Sequence, residues 1–250
     1  MTNYDKYNRE ERTICAHLFR LLHERIDLKE KSPLGQVLNK LALQNQKINL
    51  TDLSYENIGI FCEVAIIRDA FQNFKPTVNP FMDDLTKLIM QQEKIQNCRL
   101  YSQLPEILSN PKQTHPKQIR QKATSEGIQI TENEGQVFRA MQGMFNAKPD
   151  LVITIDNKLL VFEVKFTQAF DKIQLKRTEN VTKVWATLLY KDFGFKKQPE
   201  YSIIKLGAKK IEPYFEPYIN WSDILQIAQE TYGKYDRTLI ALDNGVKLLR

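Results

Sequence analysis

Cysteine is scarce in this 250-residue chain: Cys15, Cys62 and Cys98 are odd in number, widely separated and without a CxxC pair. That pattern excludes a disulfide framework and a cysteine-based zinc site, and it suits a reduced, cytoplasmic setting. Histidine is equally rare. His17, His23 and His115 lie in no HExxH or HNH-type context, and the spacing of His17 and His23 does not align them on one helical face. The chain has no Walker A, GxGxxG or GxSxG pattern, which removes a built-in ATPase, a dinucleotide enzyme and a nucleophile-elbow hydrolase. No apolar run approaches the roughly 18 residues of a membrane span, and the first residues, MTNYDKYNREERT, lack the apolar stretch of a secretory signal. A soluble intracellular protein is expected. No internal repeat or low-complexity segment is evident. What remains is an ordinary globular composition, 42% hydrophobic and 26% charged, with 36 Lys plus Arg against 30 Asp plus Glu. The net charge of +6 permits a polyanionic partner but is no histone-like excess.

Helical periodicity dominates the first half. Asn8 suits an N-cap with Glu11 three residues on, after which Ile14, Leu18, Leu21 and Leu22 share a face. Further helices are predicted after Ser32-Pro33, over residues 55–74, and over residues 81–95. Residues 97–121, polar and interrupted by Pro105, Pro111 and Pro116, read as a connector. After about Ser125 strand patterns take over, at 127–131, 136–141, 151–155, 159–166 and 201–206, with a last one at 238–242. A helix over 171–191 and another from Asn220 through Tyr232 complete the reading. The expected division is a mainly helical region, 1–125, whose 55–74 helix packs on the core, and an α/β core with a C-terminal extension, 126–250.

Chemistry concentrates in one run. Asp150 opens the apolar stretch 151–155, Asp156-Asn157-Lys158 suits a tight turn, and the stretch 159–166 carries Glu163 and Lys165 among Val161, Phe162, Val164 and Phe166. Strand side chains alternate, so Glu163 and Lys165 share a face opposite Val164, and the hairpin brings Asp150 alongside them. Two close carboxylates repel unless a cation lies between them, and hard oxygen donors of this kind suit Mg²⁺ or Mn²⁺. The plainer alternative is a solvated ion pair between Glu163 and Lys165 on an exposed face, for which this strand is unusually apolar.

Pro149-Asp150 followed across a hairpin by Glu163-Val164-Lys165 resembles the motif of the PD-(D/E)XK nuclease superfamily. The resemblance covers residues 55–74 and 128–207 at most. It implies an α/β fold with a restriction-endonuclease-like αβββαβ core and a helical N-terminal region. It further implies that Asp150, Glu163 and the main-chain carbonyl of Val164 hold the divalent ion, and that Lys165 positions or helps deprotonate the attacking water. The implied activity is metal-dependent hydrolysis of DNA phosphodiester bonds by an endonuclease or exonuclease, in restriction, defence or repair. With one site per chain, cutting both strands calls for a homodimer or sequential nicking. The metal would offset charge on the transition state and lower the pKa of bound water, and Lys165 would add positive charge near the nucleophile.

The family commonly adds an acid from a helix before the sheet, and Glu63, set among Phe61, Cys62, Ile66 and Ile67, is the first choice. Its plain reading is a residue on that helix's polar stripe. Glu134 is second, in turn-like surroundings that favour an exposed loop. On the helix after the motif, Lys172, Gln174, Lys176 and Arg177 offer donors for phosphate oxygens, against the plain reading of solvated helix surface. Some related exonucleases carry Gln and, four residues later, Tyr on this helix; here Thr178 follows Gln174. Two more basic clusters, Lys112, Lys117, Arg120 and Lys122, and Lys196, Lys197, Lys205, Lys209 and Lys210, extend a nucleic-acid track only if they share its surface. Tyr214, Phe215, Tyr218 and Trp221 suit base stacking or a packed corner. The alternative function is a catalytically silent nucleic-acid-binding or assembly module that keeps the nuclease fold.

Overall fold

The apolar alternation on either side of Asp156-Asn157 folds as a hairpin. Strands β2 (Leu151–Ile155) and β3 (Lys158–Val164) pair antiparallel, Leu151 opposite Phe162 and Ile153 opposite Leu160. Asp156 takes a left-handed φ of 49°, as the tight turn demands. Strand β1 (Ile58–Cys62) lies antiparallel on the other side of β2. Beyond β3 lie β4 (Glu200–Gly207) and β5 (Tyr218–Asn220), both parallel, giving a mixed sheet in the order β1-β2-β3-β4-β5. Parallel neighbours need a crossover, and helix α8 (Lys172–Asp192) supplies it between β3 and β4. The computed structural model describes residues 11–44, 57–73, 78–109, 115–166, 169–192, 195–208 and 217–249. Asn8, Lys112, Lys209, Lys210, Tyr214 and Phe215 lie outside the described residues.

The chain divides into two compact units. The first comprises Met1–Val64, Pro149–Thr178 and Glu200–Arg250; the second comprises Ala65–Lys148 and Glu179–Pro199. The division expected at residue 125 therefore falls inside the second unit, most of which is inserted in chain order between β1 and β2.

In the first unit the sheet's two faces differ by residue parity. Leu151, Ile153, Leu160, Phe162, Val164, Ile204 and Leu206 join one apolar core. Helix α1 (Glu11–His23) adds Leu18 and Leu22 to it, and α2 (Pro33–Gln44) adds Leu38 and Leu41. Helix α9 (Trp221–Thr231) contributes Trp221 and Ile224, and α10 (Arg237–Lys247) contributes Leu242 and Val246. Each such large aliphatic side chain stabilises the fold by roughly 1.5–3 kcal/mol on full burial. The intervening positions, Val152, Val161, Glu163 and Lys205, belong to the other face, so the charged residues are absent from this core by strand alternation alone.

The second unit contains α3 (Ile66–Asn73), α4 (Val78–Glu93), α5 (Glu106–Ser109), α6 (Pro116–Ser125), α7 (Glu132–Asn146) and the later turns of α8. Phe71 stands 6.1 Å from Phe81 and 5.4 Å from Phe145 between ring centroids, tilted in both cases, and all three are buried.

Four local expectations are corrected. The predicted 55–74 helix is instead strand β1 followed by α3, because pairing with β2 overrides the helical spacing of its apolar residues. The strands predicted at 127–131 and 136–141 are replaced by α7 and the approach to it: Thr131 accepts from the Glu134 N–H while Glu134 accepts from the Thr131 N–H, a capping box that starts a helix. The strand predicted at 238–242 lies in α10, whose N-cap Asp236 accepts from the Thr238 N–H at 2.7 Å. The 97–121 connector holds a 3₁₀ turn at Tyr101–Gln103, then α5 and the start of α6. Among the described residues no helix is long and apolar enough to cross a membrane.

Candidate active site

The β2–β3 register, continued by one residue, sets Asp150 directly opposite Glu163. Side chains at such facing positions lie on the same face, with Cβ atoms about 4.5–5.5 Å apart. The Asp150 carboxylate is oriented by the chain itself: Oδ2 accepts from the Val164 N–H at 2.8 Å, which ties the acid to the end of β3. Its carbonyl accepts from the Glu63 N–H at 3.2 Å, so the end of β1 is tied to the same corner.

Glu163 is only 3% exposed, and Lys165 6%. Lys165 Nζ lies 3.1 Å from Glu163 Oε1. From α8, Gln174 Nε2 also donates to Oε1, and Thr178 Oγ1 donates to Oε2 at 3.2 Å. Gln174 and Thr178 are four residues apart and so share a helix face. An ionised carboxylate is costly to bury without such donors, and here three side chains supply them. Lys165 is itself held from both sides, its N–H donating to the Leu206 carbonyl at 2.8 Å and its carbonyl accepting from Trp221 Nε1 at 2.9 Å.

A second lysine shares this environment. The parallel β3–β4 register sets Lys205 beside Glu163, on the same face, and Lys205 is 7% exposed. Burial pulls its ammonium down to about 8. Sequence reasoning grouped Lys205 with a surface cluster. The available signal was its position in the apolar run Ile203-Ile204-Lys205-Leu206, the same irregularity that marked Glu163. Thr178 was read only as a departure from a family pattern, yet it acts with Gln174 on one carboxylate.

Other candidates stand apart from this cluster. Glu63 is not helical: it follows β1 with φ 49°, half exposed, and Arg12 Nε pairs with its carboxylate at 2.9 Å. Only its backbone touches Asp150. The nearby Cys62 thiol is pushed up to about 11, by burial first and then by Glu63 and Asp150. Lys172, Lys176 and Arg177 are exposed on α8, where Gln174 alone of the four predicted donors reaches Glu163. Of the aromatic group, Trp221 is buried and the Tyr218 hydroxyl donates to the Gly207 carbonyl at 2.9 Å, so these two form a packed corner rather than a stacking platform.

Glu134 is no exposed loop residue. It is 1% exposed in the second unit, where Arg99 grips it with Nε on Oε1 at 2.5 Å and Nη2 on Oε2 at 3.0 Å. The Arg99 hydrogen bond holds its carboxyl below the usual range. Replacing Arg99 with alanine is expected to cost about 2 kcal/mol at neutral pH, less than for a fully buried pair because Arg99 is partly exposed. Since the folded carboxyl titrates below its ordinary 4.5, the contribution is complete above that pH and fades as acidification passes the lowered value. Urea midpoints of both proteins across pH 3–7 should therefore converge at the acid end; a constant gap would assign the loss to something other than this pair.

Among the described residues, no group of three or more His, Cys, Asp or Glu side chains gathers to hold a metal. The Asp150 and Glu163 carboxylates with the Val164 carbonyl remain a hard-oxygen donor set, the kind that fits Mg²⁺ or Mn²⁺ with waters completing the shell. No family model matches the chain, and no curated protein or solved structure matches it either.

Proposed function

We propose that the chain is a metal-dependent deoxyribonuclease that hydrolyses phosphodiester bonds, built on a restriction-endonuclease-like core. The observation that carries this reading is the shared buried corner in which Lys165 stands 3.1 Å from Glu163, with Asp150 at the facing strand position and anchored to Val164. The strand order supports it in part: β1, β2 and β3 are adjacent and antiparallel and α8 crosses over to a parallel β4, although α3 to α7 are inserted in chain order between β1 and β2. Glu63 departs from the family pattern, since its side chain serves Arg12, and the third acid is omitted from the proposed machinery.

Asp150, Glu163 and the Val164 carbonyl would hold Mg²⁺ or Mn²⁺, which when bound supplies charge neutralisation at the phosphate and a more acidic water. Gln174 and Thr178 fix the orientation of the Glu163 carboxylate. Lys165 brings a positive charge and N–H donors to the same oxygen, positioned to hold an attacking water or stabilise developing negative charge. Lys172, Lys176 and Arg177, on the exposed part of α8, would contact phosphates of DNA. The setting proposed is cytoplasmic, in restriction, defence or repair, with two copies or two successive nicks needed to cut both strands.

A second reading, a silent nucleic-acid-binding module, is favoured by one observation: both Glu163 oxygens already accept protein hydrogen bonds. Incubation with supercoiled plasmid and end-labelled oligonucleotides in Mg²⁺, Mn²⁺ or EDTA separates the two. The nuclease reading expects cutting with either metal, none in EDTA, and a loss of at least about 100-fold in Asp150→Ala. Binding without cutting by the native chain in both metals would instead establish the silent module.

A further inference from the structure

Between α6 and α7, within the second unit, runs a groove of about 570 Å³. One wall is a single helical stripe of α6, Lys117, Arg120, Gln121 and Thr124, spaced i, i+3, i+4, i+7. The other is a stripe of α7 comprising Glu132, Gly135, Arg139 and Gln142. The buried residues of these helices, Ile119 and Ala123 on α6 and Val137, Phe138 and Met141 on α7, occupy other stripes, so the polar lining is not a by-product of core packing. Three cations face one acid. Among the described residues, Lys117, Arg120 and Arg139 form no ion pair with an acidic group.

We infer that this groove binds a nucleic-acid strand through its phosphates, as a holding surface distinct from the carboxylate corner. Like-signed cations lining one groove repel one another, and a polyanion bound there relieves the repulsion. Arginine, lysine and the two glutamine amides are phosphate donors, suited to a repeating anionic backbone. A protein partner would call for apolar anchors at the centre of its contact, and Ile130 is the one large apolar residue in the lining. Gly135 keeps the floor open: a Cβ there would meet only Arg139 Nη1, at the ordinary van der Waals distance of 3.6 Å, so a side chain can be started there without a clash.

The inference does not depend on cleavage and is tested in EDTA. Anisotropy of a fluorescein-labelled 20-mer, single-stranded and as duplex, is recorded between 50 and 300 mM NaCl for the whole native protein and three variants. K117Q/R120Q/R139Q is expected to bind roughly tenfold or more weakly at 100 mM salt, with a log–log salt slope shallower by about two to three, as loss of three phosphate contacts requires. G135E, which adds a carboxylate without removing a cation, should weaken binding in the same direction. R25Q/K31Q/K234Q, an equal charge change at exposed positions of the first unit, should leave the slope within about one of native. An unchanged slope in the groove triple, an equal loss in the control triple, or no binding by the native chain overturns the inference. So does displacement by polyglutamate or inorganic triphosphate as effective as by unlabelled oligonucleotide at matched charge, which would make the groove an acidic-peptide or small-phosphate site. Failure of cleavage in the native protein with these binding results intact would remove the nuclease reading alone.

Discussion

Lys165→Met should lower cleavage by about 10²–10³-fold or more and at the same time weaken the fold, whereas Glu163→Gln/Lys165→Met should be inactive yet fully stable. On the proposed nuclease reading, the first loss follows from removing a cation beside the carboxylates that would hold the metal. The second follows from burial: with Lys165 gone, a carboxylate that is 3% exposed loses its closest charge partner. Breaking a buried pair from one side costs about 3–5 kcal/mol, while replacing both partners by neutral groups of similar size is often neutral or stabilising by about 1–4 kcal/mol. Gln174, Thr178 and the adjacent Lys205 soften the single loss, so the lower end of that range is expected. Chemical-denaturation midpoints and cleavage rates of native, single and double variants decide it. A double variant that still cuts would take Glu163 and Lys165 out of the chemistry. A single variant as stable as the native chain would mean that Gln174, Thr178 and Lys205 suffice to hold the Glu163 carboxylate without Lys165.

Removing the Trp221 side chain should produce the largest loss of stability. Trp221 is 1% exposed, stands edge-on to Phe166 at 5.8 Å and 78°, and donates Nε1 to the Lys165 carbonyl. Trp221→Ala is expected to cost about 3–5 kcal/mol, the usual penalty for truncating a buried large aromatic. Trp221→Phe retains most of the apolar contact but leaves the Lys165 carbonyl without that donor, a cost of about 1–2 kcal/mol. The phenylalanine variant should remain folded and cut more slowly, with kcat reduced more than KM is raised, because Lys165 is less firmly held. If alanine costs under about 1 kcal/mol, the ring's burial and its contact with Phe166 do not hold the core. If phenylalanine leaves kcat untouched, the carbonyl contact has no bearing on where Lys165 stands.

The hairpin was readable from sequence because everything that makes it is local: alternation in two short runs and a turn residue that accepts positive φ. The same locality exposed Asp150, Glu163 and Lys165, charged residues where an apolar strand should have had none. Strand β1 was hidden, since its partner β2 lies some ninety residues away and its apolar residues also satisfy a helical period. Lys205 escaped for a related reason. Its neighbour Glu163 is supplied by a parallel pairing that no spacing in the sequence announces. Glu134 reads as a loop residue because the short run ahead of it satisfies a strand pattern, although Thr131 and Glu134 spell a capping box. The division into units was equally out of reach, for it depends on contacts between segments far apart in the chain.

Strand parity makes the length of β3 a functional quantity. Val164 sits in oil while Glu163 and Lys165, one step to either side, pair with each other beside Gln174. Adding or deleting a single residue between Lys158 and Glu163, unless absorbed by a bulge, would exchange these roles, driving two ionic groups into hydrocarbon and turning an apolar side chain toward Gln174 and Thr178. Length variation among descendants of this chain is therefore tolerable at the Asp156-Asn157 tip, or in even steps along the strand, and ruinous in odd ones.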